Sequence, residues 1–418
     1  MNSGPDPLET SSSWLHKKFL ETALRKGDNT PKLRVTSYDV KLAVGKGDNY
    51  CSDLFRVKIH TADGKVFNLI VKKELDAEGE FGKILQKSSA FLRETHMYRS
   101  AAVRMANILQ EMSPGECSQF AARYLYSCPG TIVMQDLRAE GFKMAERRQG
   151  LDFSHCLLVM RMLARFHAAS VVLHDRDLET MSLYDKSAFS DPEMQEGIQK
   201  FVSGTFRTVV KAVQTWPGFA DRYAGKLDAL ADSMLDRIIQ VTQRDDTAFN
   251  VLIHGDLWVN NILFRYSDGP VDVRFVDFQI PHFTSPAIDL QYFFSTSPCE
   301  DVRENHLDSL MKEYHNTLCE CLNAMGYSHK HITLEDLWKE YNNKALYGLF
   351  GACCVLPIVL ADKGFDIDAI LKSGIGEEIE VVNGDTYKKA LQRMLPKFEE
   401  NGVFLSGEIS STHEFQNA

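Results

Sequence analysis

The chain has 418 residues, more than one hydrophobic core usually serves, so two lobes are expected. Hydrophobic residues make up 44% and charged residues 25%, the composition of an ordinary soluble globular protein. The net charge of -10 argues against nucleic acid or an acidic membrane surface as the main partner.

In chain order, residues 1–13 are polar and lack the basic start and apolar core of a signal peptide. They are expected to be disordered, as are residues 409–418. With no export signal, the nine cysteines are expected to be reduced thiols in the cytoplasm. Cys319 with Cys321, and Cys353 with Cys354, fit no zinc framework and read as core. A short helix is expected over Leu15–Leu24. Val40, Leu42 and Val44 alternate with other residues as in a strand, and a glycine-containing turn, GKGDNY, follows at 45–50. Phe55, Val57 and Ile59 then alternate with polar residues. The run VFNLIVKK (66–73) comes after Asp63–Gly64, and the two runs together predict a hairpin. A helical pattern covers Ser88–Leu109, and a further strand covers 131–137.

Beyond that the chain reads as mostly helical. Asp152 is placed to cap a helix running to about Ser170, with Arg161 and Arg165 on one face. Short apolar segments and turns interrupt the helices between Val251 and Phe278, and helices resume from about Val302. The longest apolar run, Leu346–Ala361, is shorter than the roughly 20 residues that span a bilayer. Pro357 interrupts it, so it reads as a buried helix and no membrane span is expected.

The densest chemistry lies in VLIHGDLWVNNILF (251–264) and VRFVDFQI (273–280). Phosphoryl transfer needs a base or orienting group for the attacking hydroxyl, and oxygen ligands for the metal ions on the phosphates. A kinase catalytic loop supplies an Asp and, five residues later, an Asn. Asp256 and Asn261 have that spacing, and Asp277 follows as the second metal-binding residue, a carboxylate. Gly255 permits a sharp turn before the base. Each piece alone is commonplace, whereas the ordered set between apolar runs points to a phosphotransferase.

HGDLWVNN followed by VDFQ resembles the aminoglycoside phosphotransferase and choline kinase superfamily, and more closely the ecdysteroid kinase-like (CHK-kinase-like) family. GKGDNYCS (45–52), FLRETHMY (91–98), MQDLRAEGF (134–142), LARFHAAS (163–170) and SPAIDLQYFF (285–294) agree with it in order. The resemblance implies an α+β, bilobal protein-kinase-like fold. Its small β-rich N-lobe would span 14–137 and its large, mainly helical C-lobe 138–408. It implies ATP and Mg²⁺, with Asp256 as catalytic base and Asn261 and Asp277 on the metal. Gly45, Gly47, Asp48 and Asn49 fall where the family covers the phosphates. Lys72 falls at the phosphate-binding lysine, with Glu94 as its partner. Lys73 points to the opposite side of the strand, so only one of the two can face the cleft; the resemblance favours Lys72, while the strand pattern leaves the choice open. The main chain of Gln135 to Leu137 falls at the adenine site, although Gln135 replaces a frequent acidic residue. His254 and Asp289 are expected to brace the catalytic loop, and His167 to be a satisfied core histidine.

The implied reaction transfers the γ-phosphoryl of ATP to a small-molecule hydroxyl, with an ecdysteroid or other lipophilic alcohol favoured by the resemblance. The alternatives are a choline or ethanolamine kinase, with Trp258 and Tyr292 as candidates for an ammonium cage, and a non-catalytic pseudokinase or steroid-binding protein. The latter is disfavoured because base, metal ligands and lysine are all present.

Overall fold

The structure is a computed structural model that describes residues 13–43, 52–75, 88–112, 119–329, 331–361 and 380–405. The predicted phosphate-covering turn at Gly45, Gly47, Asp48 and Asn49 lies outside the described residues, as do nearly all of the expected disordered termini.

The N-terminal part begins with helix α1 (Lys17–Gly27), longer at its end than the apolar pattern indicates. Strands β1 (Val35–Leu42), β2 (Ser52–Thr61) and β3 (Val66–Glu74) follow. After them come β4 (Tyr124–Cys128) and β5 (Thr131–Gln135). They form one antiparallel sheet in the order β1-β2-β3-β5-β4. The β2–β3 hairpin is the one predicted. It turns through Ala62–Gly64, with Gly64 at φ 79°, where a side chain would be strained. Phe55, Val57 and Ile59 are buried while Lys58 and His60 are exposed, so period-two patterning fixes the register. This buried face, with Leu69, Val71 and Val133, packs on Leu20, Ala23 and Leu24 of α1 as a separate small core.

Helices α2 (Ala90–His96) and α3 (Ala102–Met112) follow, and Glu94 of α2 meets Lys72 on the opposite face of the sheet. The pattern over Ser88–Leu109 predicted one helix. A π-helical turn at Met97–Ala101 joins the two segments and lets Tyr98 pack edge-on against Phe278, 5.6 Å between ring centroids.

The strand expected over 131–137 stops at Gln135, and a 3₁₀ turn, Leu137–Glu140, leads out of the sheet. The chain then adds β6 (Phe142–Met144), a strand too short to show a pattern, before α4 (Phe153–Arg176). Asp152 caps α4 by accepting the His155 N–H at 3.0 Å, as predicted. The helix runs past Ser170 to Arg176. Ser170 marks no end because its Oγ donates back to the His167 carbonyl at 2.7 Å and accepts the Leu252 N–H at 2.9 Å. Among the described residues α4 is the one helix long and apolar enough to cross a membrane, and most of it is buried inside the protein.

The remainder is helical apart from β7 (Val251–Ile253), β8 (Ile262–Tyr266), β9 (Pro270–Phe275) and β10 (His282–Thr284). β7 pairs with β10, and β6, β8 and β9 form a three-stranded sheet. Helices resume at α5 (Ala287–Thr296), well before Val302. All ten residues of α5 are buried, so it has no polar face to reveal a helical period. Later helices include α6 (Leu307–Ala324), packed along α4, and α7 (Ala345–Phe350), packed on α5. The architecture is the expected α+β one, an N-terminal antiparallel sheet followed by a large helical part.

Candidate active site

The site forms where β3 and α2 meet the loops after β7 and β9. On β3, Lys72 pairs with Leu54 of β2 and Ile132 of β5, and its side chain leaves the face opposite α1. Its Nζ is buried, 2.6 Å from the nearer oxygen of Glu94 and 2.5 Å from Asp277 Oδ1. Lys73 points to the other face, over the Trp14 ring. Burial disfavours the Lys72 ammonium, but Asp277 and Glu94 outweigh it and raise its pKa. For Glu94 burial is the dominant influence and pushes its pKa up, against the attraction of Lys72.

The loop after β7 carries His254, Gly255 and Asp256. Gly255 has φ 84°, and a Cβ there would sit 2.4 Å from the Ile280 carbonyl oxygen, so the turn requires glycine. Asp289, fully buried near the start of α5, accepts the main-chain N–H of His254 at 2.7 Å and of Gly255 at 2.9 Å. His167 of α4 adds a contact at 3.2 Å, and its other ring nitrogen meets the Tyr314 hydroxyl at 2.8 Å. Burial alone would raise the pKa of Asp289, but His167 and the bonded N–H groups hold it below the usual value. His167, read from sequence as a bland core residue, is thus part of the brace behind the loop. His254 is buried and kept neutral by desolvation. Its Nε2 reaches the Val276 carbonyl at 3.0 Å and its Nδ1 accepts the Asp256 N–H at 3.3 Å, tying the loop to the segment that carries Asp277.

Asn261 Nδ2 donates to the Asp256 carbonyl at 2.9 Å and to Asp256 Oδ2 at 2.8 Å, which gives the five-residue spacing its physical content. Oδ1 of Asp256 accepts the Tyr292 hydroxyl at 2.6 Å. Burial pushes the Asp256 carboxyl up to about 6. Hydrogen bonds from Tyr292, Asn261 and the Trp258 side chain restrain the rise, and Asp277 adds to it. Such a carboxylate is largely ionised at neutral pH and near the value suited to accepting a proton. Trp258 and Tyr292 do converge, on the carboxylate of Asp256.

Asp277 adopts φ 68°, one of two non-glycine residues with positive φ among the described residues. Backbone in this region is costly for a side chain and concentrates at functional sites. The Val276 N–H donates to the Asn261 carbonyl at 3.0 Å, so Asn261 and Asp277 are held side by side. With the Asn261 NH₂ spent on Asp256 and one Asp277 oxygen on Lys72, one oxygen of each remains for a cation. One ammonium between two carboxylates also leaves negative charge in excess. The donor set therefore fits Mg²⁺, which takes one or two protein oxygens and fills its shell from phosphates and water. Among the described residues no group of three or more His, Cys, Asp or Glu is arranged to hold a metal, and no disulfide joins the described cysteines.

At the expected adenine segment, the Gln135 N–H donates to the Arg123 carbonyl and the Asp136 N–H to the Asn68 carbonyl, both at 3.0 Å. Two of the three main-chain donors are thus taken, and the carbonyls of Asp136 and Leu137 already accept the N–H groups of Ala139 and Gly141. Asp136 is also paired with Arg56 at 2.6 Å. A separate cleft of about 650 Å³ lies at the far end of the β7–β10 ribbon, lined by His174, Arg244, Asp245, Phe283, Asp336 and Glu340 among others, and contains none of the predicted site residues.

A model of the ecdysteroid kinase-like family matches residues 46–327, more than half of the chain. The chain belongs to the ecdysteroid kinase-like family. The matched span contains Lys72, Glu94, Asp256, Asn261, Asp277 and Asp289. No curated protein sequence is significantly similar to this family member. Among solved structures it is similar to a Plasmodium vivax ethanolamine kinase, with 13% identity over 96% of this chain and 98% of the other and a TM-score of 0.43. It is also similar to a glucosamine kinase in complex with glucosamine, ADP and inorganic phosphate, with 12% identity over 92% and 97% and a TM-score of 0.25. Likenesses of this size carry no functional inference.

Proposed function

We propose that the chain is an ATP-dependent small-molecule kinase that transfers the γ-phosphoryl group to the hydroxyl of a lipophilic alcohol, an ecdysteroid or a compound like it. The observation that carries this reading is Lys72, held between Glu94 and Asp277, on a site shared with the bonded pair Asp256–Asn261. Asp256 orients the acceptor hydroxyl and takes its proton. Lys72, fixed by Glu94, holds the phosphates nearer the nucleoside. Asn261 and Asp277 hold Mg²⁺, which neutralises phosphate charge when bound. Positioning and charge stabilisation supply most of the rate enhancement in such chemistry.

Two features support a small apolar acceptor. Asp277 is followed almost at once by β10 and α5, so no long segment intervenes between the metal-binding carboxylate and the helical part. Beside Asp256, the buried rings of Tyr292, Tyr347 and Phe350 cluster with centroids 5.4–6.4 Å apart and make the surroundings of the base apolar. No disulfide joins the described cysteines, which fits the reducing cytoplasm.

The test is a screen of hydroxylated steroids, choline, ethanolamine and xenobiotic alcohols with labelled ATP and Mg²⁺, with the phosphate located by mass spectrometry. Phosphorylated steroid or apolar alcohol is the expected product. Product from choline or ethanolamine alone would replace the acceptor class, and nucleotide binding with no transfer to any acceptor would leave the binding-protein reading.

A further inference from the structure

Helix α5 meets the catalytic loop through two side chains three residues apart, and therefore on one face. Asp289 takes the main-chain N–H groups of His254 and Gly255, and Tyr292 donates its hydroxyl to Asp256 Oδ1 at 2.6 Å. One helix face thus grips three consecutive residues of the loop, ending on the base itself. The Tyr292 ring is buried and cannot swing away, because it packs on Tyr347 at 5.8 Å and Phe350 at 6.4 Å. The approach of α7 that brings Tyr347 there is close. A Cβ on Gly348 would meet Gln291 Oε1 of α5 at 2.2 Å. Burial and the neighbouring Asp256 keep the phenol protonated, so it acts as a donor.

We infer that Tyr292 is a positioning residue for phosphoryl transfer: its hydroxyl on Oδ1, with Asn261 on Oδ2, fixes the orientation in which Asp256 meets the acceptor hydroxyl. A carboxylate held at one oxygen can rotate about its Cβ–Cγ bond, whereas one held at both cannot. Tyr292, Asn261 and the Trp258 side chain occupy three of the four acceptor positions of the carboxylate, and Asp256 is only half-buried, so the acceptor hydroxyl can take the fourth without displacing Tyr292. The inference rests on the small-molecule kinase reading.

The test is Tyr292→Phe in the full chain, which removes the hydroxyl and keeps the ring. Steady-state kinetics would use an acceptor found active with the wild type, alongside thermal unfolding and nucleotide titration. A hydrogen bond to a charged group of this kind corresponds to a fall in kcat of about 10- to 100-fold. KM for ATP and the melting temperature should stay near wild type, a split that a merely structural hydroxyl would not produce. A kcat within about twofold of wild type overturns the inference, as does a loss that tracks lower stability or weaker nucleotide binding. A wild type that transfers phosphate to no acceptor sinks the kinase reading instead, and the positioning role falls with it.

Discussion

Lys72 Nζ lies 2.5 Å from Asp277 Oδ1 across 205 residues of sequence, joining the N-terminal sheet to the loop after β9. Glu94 completes the group, so one buried ammonium serves two carboxylates that come from different parts of the fold.

Removing the ammonium leaves a buried carboxylate without its counter-charge. Breaking a buried pair from one side typically costs about 3–5 kcal/mol. Lys72→Met should therefore lower the urea midpoint of unfolding substantially, and adding Glu94→Gln should restore much of the loss. If the double variant is no more stable than the single one, the pair is not the stabilising unit described here.

Asp256→Asn preserves shape and the contact with Asn261 but cannot accept a proton. Turnover should fall by about 100- to 10,000-fold, the usual contribution of a positioned base, while calorimetry finds nucleotide binding largely intact. Wild-type turnover in this variant would remove Asp256 from the mechanism.

Asp277→Asn keeps an oxygen at the cation position and deletes its charge. The Mg²⁺ concentration needed for half-maximal nucleotide binding should rise by about tenfold or more, since ligand charge sets affinity for hard cations. An unchanged Mg²⁺ titration would count against this residue as a ligand.

Acid should destabilise the fold through its buried histidines. Burial lowers His282 from the ordinary value of 6.5 to about 4; the Ile280 carbonyl opposes the shift, Arg93 adds to it and Asp289 opposes it. Between those values the unfolded chain binds a proton that the folded chain does not. This stability is therefore complete above pH 6.5 and is lost as pH falls toward 4. Such a displacement amounts to about 3 kcal/mol, and His167 and His254 are shifted in the same direction. Urea midpoints measured from pH 7 to 4.5 should fall steadily, and His282→Gln should make the slope shallower. Equal slopes for the two proteins would exclude His282 as a contributor.

Local sequence determined what local physics controls. Alternation and Asp63–Gly64 specify the β2–β3 hairpin, Asp152 starts α4, and the step from Asp256 to Asn261 places two groups that bond each other. The order of Asp256, Asn261 and Asp277 suffices to suggest the chemistry. Helix α5 escaped detection because burial on all sides erases periodicity, and the end of α4 was obscured by a serine that bonds back into its own helix. Only the tertiary structure decided that Lys72 rather than Lys73 meets Glu94, because facing depends on which side of the sheet α1 covers. The same holds for the brace of His167 and Asp289 and for the hydroxyl of Tyr292 on Asp256. Those contacts join residues 36 to 122 positions apart. Their partners are set by the packing of α4, α5 and α7 around the loop, and no spacing in the sequence encodes that.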